Sequence, residues 1–197
     1  RAMKDILKRE ERRLRQLTKL GYDIKRSREF IFKKAGLDHG SILEVGTGKG
    51  HFALLLANKG FVLTSIDLDP GAHRVAREFL KADRLQRKVR LKRMDAEKLD
   101  FPSRSFDQVV SVNFMHHAQY PKRCLAEMVR VARAKIVIAD INKKGELVLE
   151  RMHKKEGHDH PRSDISFQQM RSFLEEKGFS VRTFKGFCQT MLVAEKE

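Results

Sequence analysis

A chain of 197 residues and 22.9 kDa suits one compact domain with a full hydrophobic core, which removes the need for disulfides or a structural metal and argues against a second domain. Its 42 Lys and Arg against 26 Asp and Glu give a net charge of +16 and a pI near 10.1, an excess that attracts polyanions. No segment approaches eighteen consecutive apolar residues and the N-terminus is charged, which excludes a spanning helix and a signal peptide and leads us to expect a cytoplasmic protein, with Cys124 and Cys188 as reduced thiols in no metal-ligand spacing. Because Arg1 stands first, the native start is expected at Met3 or further upstream.

In chain order, Met3, Ile6, Leu7, Leu14, Leu17 and Leu20 recur at helical spacing with charges between them, and Gly21 is a stop; a second basic helix is predicted over about Ile24–Ala35, before Gly36 and Gly40. Residues 1–34 hold thirteen Lys and Arg against five Asp and Glu, half of the net charge in about a sixth of the chain. Such a run reads either as a solvated helix face or as a surface for nucleic acid. From residue 41 the pattern alternates. "SILEV", "FVLTSIDLD", "VRLKRMDAEKL" with its loop, "FDQVVSVNF" and "AKIVIADI" read as strands, with helices "HFALLLANKG", "GAHRVAREFLKADRL" and "PKRCLAEMVRVA" between them. The tail adds a helix, "SFQQMRSFLEEKGF", and two strands, "SVRTFKGF" and "QTMLVAEKE", on a short connection. Strands alternating with helices of this length imply a mostly parallel sheet covered on both faces. The predicted class is α/β: a Rossmann-like, doubly wound sheet of seven strands with a C-terminal antiparallel hairpin and N-terminal helices.

In such a sheet ligands sit outside the carboxyl ends of the strands, and the first strand–loop–helix unit contributes. Here that unit is "EVGTGKG", Glu44 to Gly50, whose glycines permit a sharp turn and close approach of the backbone to a ligand. The dinucleotide fingerprint wants its third glycine at position 51, which is His51, and a phosphate-binding P-loop wants a Gly-Lys-Ser/Thr triplet that does not follow.

The pattern acid-x-Gly-x-Gly-x-Gly resembles the first motif of the class I S-adenosylmethionine-dependent methyltransferases, and the resemblance continues in register. Asp67 in "TSIDLDP" stands where that family accepts the two ribose hydroxyls, a task suited to the acceptor oxygens of a carboxylate. Asp95-Ala96 stands where the family meets the adenine edge, and "FDQVVSVNFMHH" looks like the fourth strand and its loop. The stretch through "AEMVRVAR" is similar to the small-molecule, quinone-biosynthesis-like branch. The resemblance implies that S-adenosylmethionine is bound by Glu44, Gly46, Thr47, Gly48, Gly50, Asp67, Leu68, Asp95, Ala96 and Asn113, with S-adenosylhomocysteine as product and Glu44 orienting the loop. The family's Lys-Pro-Gly-Gly turn before the fifth strand is missing from "RVARAKIVIAD", which predicts a tightened connection.

The sulfonium of that cofactor already activates the methyl group, so alignment of the acceptor supplies most of the rate, and a base is needed only if the acceptor must lose a proton. His116 and His117, just past the fourth strand, are the candidates. Asn113-Phe114-Met115-His116 lacks the Asn/Asp-Pro-Pro-Tyr/Phe sequence of many enzymes that methylate planar nitrogens, which points away from those substrates. The segment "NKKGELVLERMHKKEGHDHPRSD" reads as a polar insertion, and its His153, His158, Asp159 and His160 as part of a substrate lid or solvated loop rather than a metal site. The expected organisation is a helical cover over residues 1–40 on a methyltransferase domain over residues 41–197. The acceptor is expected to be a small molecule, which the basic cover would favour if acidic. An RNA methyltransferase and a non-catalytic module that binds the cofactor or a partner remain the alternatives.

Overall fold

The computed structural model describes residues 2–156 and 165–196, with side chains from 5–152 and 165–196. Seven strands form one sheet: β1 (Ile42–Val45), β2 (Leu63–Asp67), β3 (Val89–Arg93), β4 (Phe106–Val112), β5 (Ala132–Ile141), β6 (Phe179–Lys185) and β7 (Gln189–Lys196). Their order is β3-β2-β1-β4-β5-β7-β6; the first five run parallel, and β7 pairs antiparallel with both β5 and β6. The predicted sheet and hairpin are therefore present. The chain moves outward from β1 to β3 and then restarts at β4 on the other side of β1. That reversal opens a crevice at the carboxyl ends of β1 and β4.

The strands are apolar on both faces, and alternate residues go to opposite layers. Leu43, Val45, Val109, Ile136, Ile138 and Leu192 face α5 (Pro121–Val131) and α7 (Phe167–Glu176). Ile42, Val110, Val137, Ala139 and Met191 face the other way, onto Ile31 and Ala35 of α2 (Ile24–Ala35) and Phe52 and Leu56 of α3 (His51–Asn58). A fourth helix, α4 (Pro70–Ala82), sends Leu80 into the same layer. Glu44, between Leu43 and Val45, consequently points into the α2–α3 layer. Helix α5 ends at Val131 and β5 begins at the next residue, the tightened connection expected from the missing turn motif.

Helix α1 (Ala2–Lys19) lies against α2, α4 and α6 (Lys143–Glu156). This last helix corrects the reading of the segment after β5 as a polar insertion. Asn142 Oδ1 accepts the Lys144 and Gly145 N–H groups at 3.0 and 3.1 Å and caps the helix, as Asn does well. Val148 and Met152, one turn apart, are buried with Leu17, Tyr22 and Cys188. A stripe this narrow on a basic helix is invisible until α1 supplies the surface that covers it. His158, Asp159 and His160, and the side chain of His153, lie outside the described residues.

Candidate functional site

The loop between β1 and α3 turns at the crevice on three glycines with positive φ. Gly46 and Thr47 both donate their N–H to Ile66 O at 2.9 Å, which ties the loop to β2. A Cβ on Gly46 (φ 87°) would lie 2.5 Å from Phe114, and one on Gly50 (φ 80°) would lie 2.7 Å from Ala76 of α4. Gly48 (φ 49°) differs, since a Cβ there meets nothing within 4 Å. Two glycines therefore serve close packing within the protein, and the middle one presents bare backbone to the crevice.

Beneath the loop runs a buried polar chain. Ser65 on β2 donates to Glu44; the Ser65 and Thr47 hydroxyls lie 2.6 Å apart, and His73 Nε2 of α4 is 3.3 Å from Thr47. Burial pushes the Glu44 carboxyl up to about 8 against the Ser65 bond and the charge of Arg28, and burial also lowers His73. Glu44 further accepts the Ala53 N–H in the first turn of α3. It is thus linked to the loop through Ser65 and Thr47. Thr47 is buried, its hydroxyl beside Ser65 and His73 and its N–H on Ile66 O, so its contribution is to hold the loop against β2 and α4.

The sequence left two residues over this loop unassigned. Arg28 of α2 is only 8% exposed, and its Nε and Nη1 have no hydrogen-bond partner among the described residues. Its charge acts on Glu44 and His51, which puts the guanidinium over the N-terminus of α3. Ile24, Arg28, Ile31 and Ala35 share one helical face, so the signal was a cation inside an apolar stripe. Glu10 of α1 is buried as well and binds Lys49 of the loop, while His51 Nε2 lies 3.2 Å from its Oε1. Burial pushes the Glu10 carboxyl up, but bonds from His51 and Lys49 outweigh it and hold the group at about 2.

The remaining expected residues line the carboxyl edge. Asp67 ends β2; its Oδ2 accepts the Gly48 N–H at 2.7 Å and its Oδ1 the Asp69 N–H at 3.0 Å. Leu68 beside it is 52% exposed, unusual for a leucine between two acids. Asp95 lies in the exposed turn after β3 and accepts the Glu97 N–H at 2.9 Å, with Ala96 buried behind it. Asn113, at the end of β4, is held at φ 54°, a conformation Asn tolerates better than most residues. Its Nδ2 donates to the Tyr22 hydroxyl at 2.8 Å, and its buried Oδ1 has no partner among the described residues.

His116 and His117 form the 3-10 turn Met115–His117, with ring centroids 3.9 Å apart. His116 reaches Asp140 at the end of β5, its Nδ1 lying 2.5 Å from Oδ1. Asp140 was missed, although an acid closing a buried strand, as Asp67 does, was a usable signal. Among the described residues no group of three or more His, Cys, Asp or Glu could hold a metal ion. Nor is any described helix long and apolar enough to cross a membrane.

The residues fit S-adenosylmethionine in particulars: bare backbone at Gly48, an acid facing it at Asp67, an apolar surface at Leu68, and, without partners among the described residues, the Nε and Nη1 of Arg28 and the buried Oδ1 of Asn113. Residues 43–138 match the family described as a methyltransferase domain. A phosphatidylethanolamine N-methyltransferase of Cereibacter sphaeroides is 37% identical over 94 residues, 48% of this chain and 46% of that protein. The ubiquinone/menaquinone biosynthesis C-methyltransferase UbiE of Citrifermentans bemidjiense is 32% identical over 135 residues, 66% of this chain and 57% of that protein. These matches span about half the length of each relative. Among solved structures, the YcgJ protein of Bacillus subtilis superposes with a TM-score of 0.72 over 87% of this chain and 98% of its own, at 16% identity, a likeness of fold. The glycine loop on β1 and the acid ending β2 both fall inside the matched segment, which makes residues 43–138 a methyltransferase domain of the class I, S-adenosylmethionine-dependent kind.

Proposed function

We propose that the chain holds S-adenosylmethionine across the carboxyl ends of β1, β2 and β4 and methylates a small-molecule acceptor. The observation that carries this reading is the Gly48 N–H to Asp67 bond of 2.7 Å, which joins the glycine loop to the acid that would take the ribose hydroxyls. Arg28 binds the carboxylate of the methionine half, an anion suited to an unpaired buried guanidinium. Asn113 Oδ1 accepts from its ammonium; Leu68 lies on the adenine, and Asp95 with Ala96 meets its edge. Gly46, Gly50 and the Thr47 backbone shape the loop, with Glu44 holding it from below. When bound, the cofactor supplies a methyl group activated on a sulfonium. The chain's own work is to align the acceptor and exclude water.

Residues 1–40 act as the cover: α1 is fastened to Lys49 and His51 through Glu10, and Tyr22 reaches Asn113. A cavity of about 580 Å³ beside Tyr22, walled by Phe30 and Phe187 with Arg26 and Lys185 against the single acid Asp23, has the size of a metabolite site and favours a planar acceptor of net negative charge. The UbiE relative supports a place near the quinone-biosynthesis-like branch. Two buried free thiols support a cytoplasmic setting.

A second reading, RNA as acceptor, is favoured by one observation. Lys8, Arg12, Arg15 and Lys19 flank a single cleft along α1 with Glu11 as the one acid. Steep salt dependence of RNA binding at the reaction site would support it.

Calorimetric titration with S-adenosylmethionine and S-adenosylhomocysteine tests the main reading. Binding by the wild type that Asp67→Ala abolishes supports it. No binding by folded, ligand-free wild type overturns it, and binding without labelled-methyl transfer to metabolites or RNA would leave a non-catalytic module.

A further inference from the structure

His116 and Asp140 stand at the carboxyl ends of neighbouring strands, and three donors converge on the Asp140 carboxylate. Oδ1 takes His116 Nδ1 at 2.5 Å and the Ile141 N–H at 2.7 Å, while Oδ2 takes the His116 backbone N–H at 2.9 Å. One buried side chain therefore holds both the backbone and the ring of His116. A carboxylate only accepts, so in the neutral ring Nδ1 carries the proton and Nε2 keeps its lone pair. The His116 side chain remains 20% exposed against 5% for Asp140, which leaves the ring reachable and its partner sealed. Asp140 from β5 and His117 from the same turn face the ring.

We propose that His116 is the general base of the reaction, positioned by Asp140, and that the acceptor is a phenol or enol whose hydroxyl proton leaves to Nε2. This rests on the reading of the crevice as a methyl-transfer site. A neutral amine or a thioether already offers a lone pair and has no use for an oriented base, whereas a hydroxyl does. The O–H bond breaks as Nε2–H forms. The electron pair left on the acceptor takes the methyl carbon, at oxygen or at the conjugated carbon, as the pair of the broken C–S bond stays on sulfur. The imidazolium, stabilised by Asp140, then returns its proton to solvent.

Long-range proton–nitrogen NMR on protein carrying 15N-histidine reads the dyad without turnover. The Nδ1–H tautomer of His116 is expected in the wild type and its loss in Asp140→Asn; an Nε2–H tautomer in the wild type overturns the proposal. Labelled-methyl transfer to substituted phenols reads the base. On weakly acidic phenols at neutral pH, His116→Gln and Asp140→Asn should each lose about 100-fold in kcat. On a nitrophenol already ionised at that pH the loss should shrink to about threefold or less, because no proton remains to be removed. Equal losses on both phenols would make the pair structural and overturn the proposal, as would transfer confined to amines or thiols, or to no phenol, by protein that binds the cofactor. Carbon NMR of the product distinguishes methyl on oxygen from methyl on carbon. Wild type that binds no cofactor in calorimetry would sink the proposed function itself, a failure separate from the others.

Discussion

Gly48 donates its backbone N–H to Asp67 Oδ2 at 2.7 Å, so the acid that ends β2 holds the β1–α3 loop at the one of its three glycines whose missing side chain faces open space. Gly48→Ala should therefore cost only about 1 kcal/mol of stability, for the left-handed backbone, while weakening cofactor binding at least tenfold. Gly46→Ala, driven into Phe114, should cost about 2 kcal/mol or more. Chemical denaturation and calorimetry on both variants check this; equal effects on binding and folding at Gly48 would contradict it.

Arg28 should matter to the ligand more than to the fold. A buried cation without a partner destabilises the protein, so Arg28→Met should leave stability unchanged or raise it by about 1 kcal/mol. The same change should weaken S-adenosylmethionine by roughly 30-fold, the share of a charge-assisted bond, while barely affecting a cofactor analogue that lacks the carboxylate. Equal losses for the two ligands would remove Arg28 from the site.

Glu44 gives a pH signature. Its folded value of about 8 lies above the usual carboxylate range, so between the two values the folded state holds a proton that the unfolded state has released. Stability from this group is full at low pH and declines as pH rises toward 8. Glu44→Gln, neutral throughout, should flatten that slope, and the difference between the two proteins across the window should be on the order of 3 kcal/mol. Denaturation curves from pH 5 to 9 measure it.

Glu10 has the opposite sign. Its folded value of about 2 lies below the usual range, so its contribution is full above the unfolded value and disappears as pH falls through 2. Glu10→Gln should cost on the order of 2 kcal/mol at neutral pH and release α1 from the loop. Hydrogen exchange should then quicken in α1 and near Lys49 and leave β4 and β5 protected.

The strands were legible because each is short, apolar on both faces and bounded by turn residues, as in "AKIVIADI", and because Gly60 closes the first crossover helix. The order of Glu44, the glycines and Asp67 along the chain was enough to identify the ligand-facing edge. Helix α6 was not legible, since its polar surface outweighs the Val148–Met152 stripe that only Leu17 and Tyr22 make meaningful. Thr47 was placed in the loop by its position, but only the structure shows its hydroxyl turned inward to Ser65 and His73.

By itself the sequence determined the alternating elements, the parallel sheet and the positions of the loop and Asp67, all of which follow from local periodicity and turn chemistry. Only the tertiary structure decided which groups meet across it: Glu10 with Lys49, Arg28 over Glu44, Asn113 with Tyr22 and His116 with Asp140. These partners come from different elements and are set by how helices and strands are laid side by side. No spacing along the chain encodes such a meeting, and the chemistry of the site depends on it.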